Sequence, residues 1–118
     1  MIKKIKKNTI PFTKMHGLGN DIFIIDWRGQ ESSFHANHIK LLGSRNLGIG
    51  FDQLAIIRTG SRNDIAAHLE FWNSDGSVSS TCGNATRCVA DLLMSERNCK
   101  ELILSTNHDE IKCQKVTG

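Results

Sequence analysis

One segment constrains the fold more than any other. Ala85, Cys88, Val89, Leu92 and Leu93 recur at i, i+3, i+4, i+7 and i+8, a single apolar stripe at helical period, with Asp91, Ser95 and Glu96 off it. Ser79, Ser80 and Thr81 precede the stripe as candidate N-caps. Every other apolar run is short and rich in β-branched or aromatic residues. These runs fall at 12–15, 21–27 (DIFIIDW), 53–58, 67–73, 102–106 and 110–116. A second, shorter helix fits 36–44, with Ile39 and Leu42 on one face and Ser32 or Ser33 as its cap. The turns between them are chemically explicit: HGLGND at 16–21, RNLGIGFDQ at 45–53 and Ser74-Asp75-Gly76. About six or seven strands, hairpin-like neighbours and two single helices favour an α+β domain over a doubly wound one.

A chain of 118 residues accommodates one ordinary core. Its charge of +3 is carried by one end: without the four lysines in the first seven positions, eleven basic residues face twelve acidic ones, a net of −1. The body therefore lacks the basic stripe of a nucleic-acid domain, and no nucleic-acid partner is expected. Residues 1–11 read as a basic tail without the apolar stretch of a secretory signal, and 12–118 as the folded lobe. No apolar run is long enough for a membrane helix, so a cytoplasmic chain without membrane partners is expected.

The cysteines at 82, 88, 99 and 113 form no C-x-x-C, which argues against a zinc ribbon or a thioredoxin-type redox site and for free thiols. His35 and His38 read as a surface helix pair, and His68 as a packed or solvated strand residue, rather than as ligands. The pairs Gly17/Gly19 and Gly48/Gly50 lack the third glycine of a dinucleotide loop, and there is no Walker lysine or G-x-S-x-G elbow. The chemistry concentrates in NSDGSVSSTCGNATRC, 73–88. Cys82 stands at the start of the long helix, where the helix dipole favours a thiolate and first-turn N–H groups can hold an anion. Gly83 allows close ligand approach. Cys88, on the stripe, reads as a small buried hydrophobe.

FTKMHGLGNDIFIID, RNLGIGFDQLAII, FWNSDGSVSSTCGNATRC and ILST, in this order, resemble the N-terminal lobe of the diaminopimelate epimerase family over about 12–116. The resemblance implies a mixed sheet or barrel wrapped around a central helix, in a protein built of two such lobes with the substrate between them. It implies interconversion of LL- and meso-diaminopimelate, in lysine and cell-wall precursor biosynthesis, by two cysteine bases without pyridoxal phosphate or any other cofactor. Cys82 matches the first-lobe acid/base. Asn20, Gln53 and Asn73 match substrate ligands, and Gly83 and Asn84 match the pair that holds the substrate's α-amino-acid end.

The family's glycine and alanine after CGN are Ala85 and Thr86 here, and the methyl of Ala85 is expected near a substrate-contacting backbone. The other catalytic cysteine belongs to a second lobe, which neither Cys99 nor Cys113 supplies by its surroundings. The chain is accordingly expected to bind an amino-acid substrate, to pair with a second-lobe polypeptide or another copy of itself, and to be inactive alone. The alternative is a non-catalytic remnant or interaction module that keeps the lobe fold.

Overall fold

The computed structural model describes residues 12–17, 19–46, 48, 50–79 and 83–115. The expected basic tail, Ser80 and Thr81 as helix caps, and Cys82 lie outside them. Among the described residues there are seven strands and two helices: β1 Phe12–Gly17, β2 Asn20–Asp26, α1 Ala36–Gly43, β3 Gln53–Arg58, β4 Ala67–Asn73, β5 Val78–Ser79, α2 Gly83–Arg97, β6 Glu101–Ser105 and β7 Glu110–Gln114. The bounds of β3 and β4 coincide with the sequence reading. HGLGND shrinks to a tight β1–β2 hairpin turn around Gly19, which sits at φ +91 where a side chain would be strained.

The strands form one mixed sheet in the order β1-β2-β3-β4-β6-β7, with β5 paired to β4. The β2/β3 and β4/β6 pairs are parallel, and the others are antiparallel. Strands β5 and β6 share one side of β4: β6 meets Ala67 and His68, and β5 meets Phe71 and Trp72. The sheet is mixed as expected, but open rather than closed into a barrel, with β1 and β7 at its two edges.

Continuous apolar strands imply burial on both faces. Ile22, Ile24, Ala55, Ile57, Leu69 and Phe71 join Val89 and Leu93 of α2 in one core cluster. Phe23, Ile25, Leu54 and Ile56 join Trp27, Ile39 and Phe51 in a second, on the α1 side. The alternation of neighbours between the two clusters is the period of two of a strand. Helix α2 packs against β1, β2, β3 and β6. Its buried surface is wider than one stripe: Ala90 and Met94 are buried beside Ala85, Cys88, Val89 and Leu93, and Leu92 is only half-buried. A sheet that curls around a helix covers more than the narrow face that periodicity alone indicates. The helix ends as Asn98 takes a left-handed conformation (φ 53) and Cys99 N–H donates to the Met94 carbonyl at 3.0 Å, which sets Cys99, half-buried, against the core.

The cap of α1 differs from expectation. His35 occupies the N-cap position with extended backbone and makes no side-chain cap hydrogen bond. Ser32 and Ser33 lie too far upstream to reach first-turn amides. The helix is held instead by the turn after β4. A Cβ on Gly43 would stand 2.8 Å from the Ser74 carbonyl oxygen, and one on Gly76 would stand 2.5 Å from that of Ala36. Gly76 also has φ +89. Gly76→Ala should therefore lower the unfolding free energy by more than about 1 kcal/mol, since both the backbone and the space oppose the methyl. Urea denaturation reads this directly, and an unchanged midpoint would show that the turn does not dock on α1 as described.

Candidate active site

Register assembles three amide side chains. Gln53, the first residue of β3, pairs with Ile22 of β2 on one side and with Asn73, the last residue of β4, on the other. Asn20 opens β2, two residues before Ile22. All three therefore stand at one end of the sheet. Their parity matches Ile22, Ala55 and Phe71, so they lie on the face that α2 covers. Each is half-buried.

The turn NSDGS fixes Asn73. Its backbone N–H donates to the Ser77 carbonyl at 2.8 Å and its side-chain amide to Ser77 Oγ at 3.0 Å. Asp75 accepts from both the backbone N–H and the hydroxyl of Ser77 (2.9 and 2.6 Å). These bonds hold the Asp75 carboxyl below its ordinary range.

Strand β5 folds back beside β4, and four residues after Ser79 the chain begins α2 at Gly83. Gly83 and Phe71, two residues from Asn73, line one groove. The first turn of α2 contains no acidic residue, so none of its own carboxylates offsets the positive end of the helix. A Cβ on Gly83 would meet nothing within 4 Å, and Gly83 has no positive φ. Among the described residues, neither packing nor backbone requires glycine there. Asn84 follows, half-buried. Ala85 is fully buried in the α2 cluster, so its methyl packs into the core, as its place on the apolar stripe implies. Thr86 is half-buried on the groove side.

That groove, about 480 Å³, runs along α2 toward β7 past Ala90, Met94, Ile111 and Cys113, and touches none of Asn20, Gln53 or Asn73. Cys88 is buried, and Cys99 and Cys113 are half-buried free thiols. Burial pushes the Cys113 thiol up, away from the thiolate. His68 is a packed strand residue, with Nδ1 2.8 Å from Ser105 Oγ and Nε2 3.2 Å from Asn107 Oδ1.

The sequence reading missed a charged network just behind the amides. Asp21 follows Asn20, and Asp52 precedes Gln53. Arg45 donates to both carboxylates, at 3.1 and 3.3 Å. His16 Nδ1 lies 2.5 Å from Asp21 Oδ1, and Lys14 Nζ is 3.9 Å from Oδ2. Desolvation raises the Asp21 carboxyl, but hydrogen bonds from Arg45 and His16 and the charges of His16 and Lys14 outweigh it, and the group sits below its ordinary range. The available signal was the position of both aspartates, each adjacent to a candidate ligand in its own motif.

Among solved structures, the fold is similar to a methylitaconate-delta-isomerase (TM-score 0.66, 19% identity, covering 92% of this chain and 60% of that one). It is also similar to a phenazine biosynthesis protein of the PhzF family from Enterococcus faecalis (TM-score 0.66, 13% identity, 91% of this chain and 40% of that one). At these identities the likeness concerns the fold. Sequence relatives are closer. The diaminopimelate epimerase of Pelagibacter ubique is 47% identical over 105 residues, which are 89% of this chain and 37% of that protein. The diaminopimelate epimerase of Pseudomonas aeruginosa is 45% identical over 86 residues, 73% of this chain and 31% of that protein. The chain thus spans about a third of the length of these curated relatives. The family model described as diaminopimelate epimerase matches residues 12–117, the same stretch that carries the amide cluster and the start of α2, and the chain belongs to that family of isomerases.

Proposed function

We propose that this chain supplies the first half of a cofactor-independent epimerase site for diaminopimelate, in lysine and cell-wall precursor biosynthesis in the cytoplasm. The observation that carries the reading is the convergence of Asn20, Gln53 and Asn73 on one end and one face of the sheet. Family membership adds the reaction class. Inversion at Cα needs a base on one face of the carbon and an acid on the other. Cys82, one residue before α2, is the acid/base of this half. A thiol has a reference pKa near ~8.5, and a helix N-terminus lowers it toward neutrality, so one residue type serves in either role. The neutral amides of Asn20, Gln53 and Asn73 grip a zwitterion without neutralising it. Gly83 and Asn84 hold its α-amino-acid end, where the unopposed helix dipole suits a carboxylate. The opposing acid and the remaining contacts come from a second lobe docked at the end of the sheet where the amides stand.

Thiol reactivity tests the assignment. In pulse alkylation mapped by mass spectrometry, Cys82 should label faster than Cys88, Cys99 and Cys113, and diaminopimelate should slow that labelling. Faster labelling of buried Cys88 or of Cys113 would remove Cys82 from this role.

A further inference from the structure

We infer that Arg45 is a positioning residue, whose guanidinium bridges the carboxylates of Asp21 and Asp52 and thereby fixes the relative placement of Asn20 and Gln53. The inference rests on the reading of those two amides as substrate ligands. Asp21 and Asp52 already lock the entrances of β2 and β3 to each other. The Asp21 N–H donates to Asp52 Oδ2 at 2.7 Å, and the Asp52 N–H donates to the Asp21 carbonyl at 2.9 Å. Arg45 closes this clamp from the far side of the loop, at 3.1 Å to Asp21 and 3.3 Å to Asp52.

Parity separates the clamp from the ligands. Asp21 and Asp52 share the parity of Phe23 and Leu54, on the α1 side, whereas Asn20 and Gln53 share that of Ile22 and Ala55, on the α2 side. Arg45 therefore acts through the backbone of two strand entrances and not on substrate. The loop is shaped to deliver it. Gly50 has φ +79, and a Cβ there would stand 2.9 Å from Arg45 Cγ, so the arginine stem lies across the glycine. The Gly50 N–H donates to the Leu42 carbonyl at 2.9 Å, which anchors the same loop to α1. The guanidinium is the one side chain whose planar fork spans two carboxylates at once.

Side-chain relaxation of ¹⁵N-labelled chain tests the clamp without substrate. In Arg45→Met, the side-chain order parameters of Asn20 and Gln53 should fall below about 0.6, while that of Asn73, held by Ser77, stays unchanged. Arg45→Lys, with one point charge, should fall between. The urea midpoint should barely move, because exposed ion pairs contribute little to global stability. Unchanged order at Asn20 and Gln53, or an equal loss at Asn73, overturns the inference. If Arg45→Met does not fold, Asp52→Asn is read by the same criteria. A parallel titration with meso-diaminopimelate separates the two ideas. No shift of the Asn20, Gln53 or Asn73 amides in the unmodified chain would sink the active-site reading while the relaxation result still decides the clamp. Where binding is seen, Arg45→Met should weaken it about tenfold, as expected for one misplaced hydrogen-bonding group, and undiminished affinity would overturn the inference.

Discussion

Incubated with one stereoisomer of diaminopimelate in D₂O, the purified 118-residue chain will show no useful inversion at Cα. A two-base reaction needs an acid opposite Cys82, and the described cysteines do not offer one. Cys88 is buried in the core, and burial raises the thiol of Cys113. Losing one of two acid/base groups costs on the order of 10²–10⁴ in rate, before the loss of half the binding contacts is counted. Without a second lobe over the end of the sheet, water at the half-buried amides also weakens the electrostatic stabilisation of a developing carbanion. Slow deuterium uptake with retention is compatible with the reading, since Cys82 can remove and return the proton on one face. Following deuterium content and stereochemistry together separates these outcomes. Robust inversion by this chain, abolished by Cys82→Ala, would mean that a second acid is supplied here, for instance by another copy, and the half-site reading would fail. Addition of a second lobe with its own cysteine should restore inversion.

Leu93→Ala should cost about 3 kcal/mol of unfolding free energy, the middle of the range for a fully buried leucine whose cavity collapses only in part. Leu93 has no exposed surface and packs in the cluster that joins α2 to the sheet. For a domain whose total stability is about 5–15 kcal/mol, that is a large fraction. Leu92→Ala, one position along, should cost clearly less, because Leu92 is half-buried at the margin of the same cluster. Urea denaturation of both variants measures the difference. Equal costs at the two positions would contradict the described rotation of α2 against the sheet.

Much of the fold was legible because its local signals agree. DIFIID, QLAIIR and AHLEFWN are β-branched or aromatic runs bounded by turn chemistry, and they became β2, β3 and β4 within a residue of the expected ends. The α2 stripe was legible from its period, and so was the burial of Cys88. Other features were not. The cap of α1 failed because a serine signature three or four residues upstream cannot show whether the chain between is extended. The burial of Ala90 and Met94 and the half-burial of Cys99 depend on how far the sheet curls around the helix, which is a matter of strand pairing and not of any one segment.

The candidate site divides in the same way. The place of Cys82 and Gly83 before the long helix was legible from local chemistry, whereas Asn20, Gln53, Asn73 and Asn84 were named by the family resemblance of the ordered motifs. Sequence alone also carried the family, since identity over ordered motifs needs no coordinates. Only the tertiary structure put Asn20, Gln53 and Asn73 on one end and one face: parallel pairing of β2 with β3 and antiparallel pairing of β3 with β4 bring together residues more than fifty positions apart. It likewise joined Arg45 to Asp21 and Asp52 and left the sheet open at β1 and β7. Period and composition are local quantities that a sequence displays directly. Register between distant strands is set by the burial of both sheet faces at once, and it exists only when the whole core has formed.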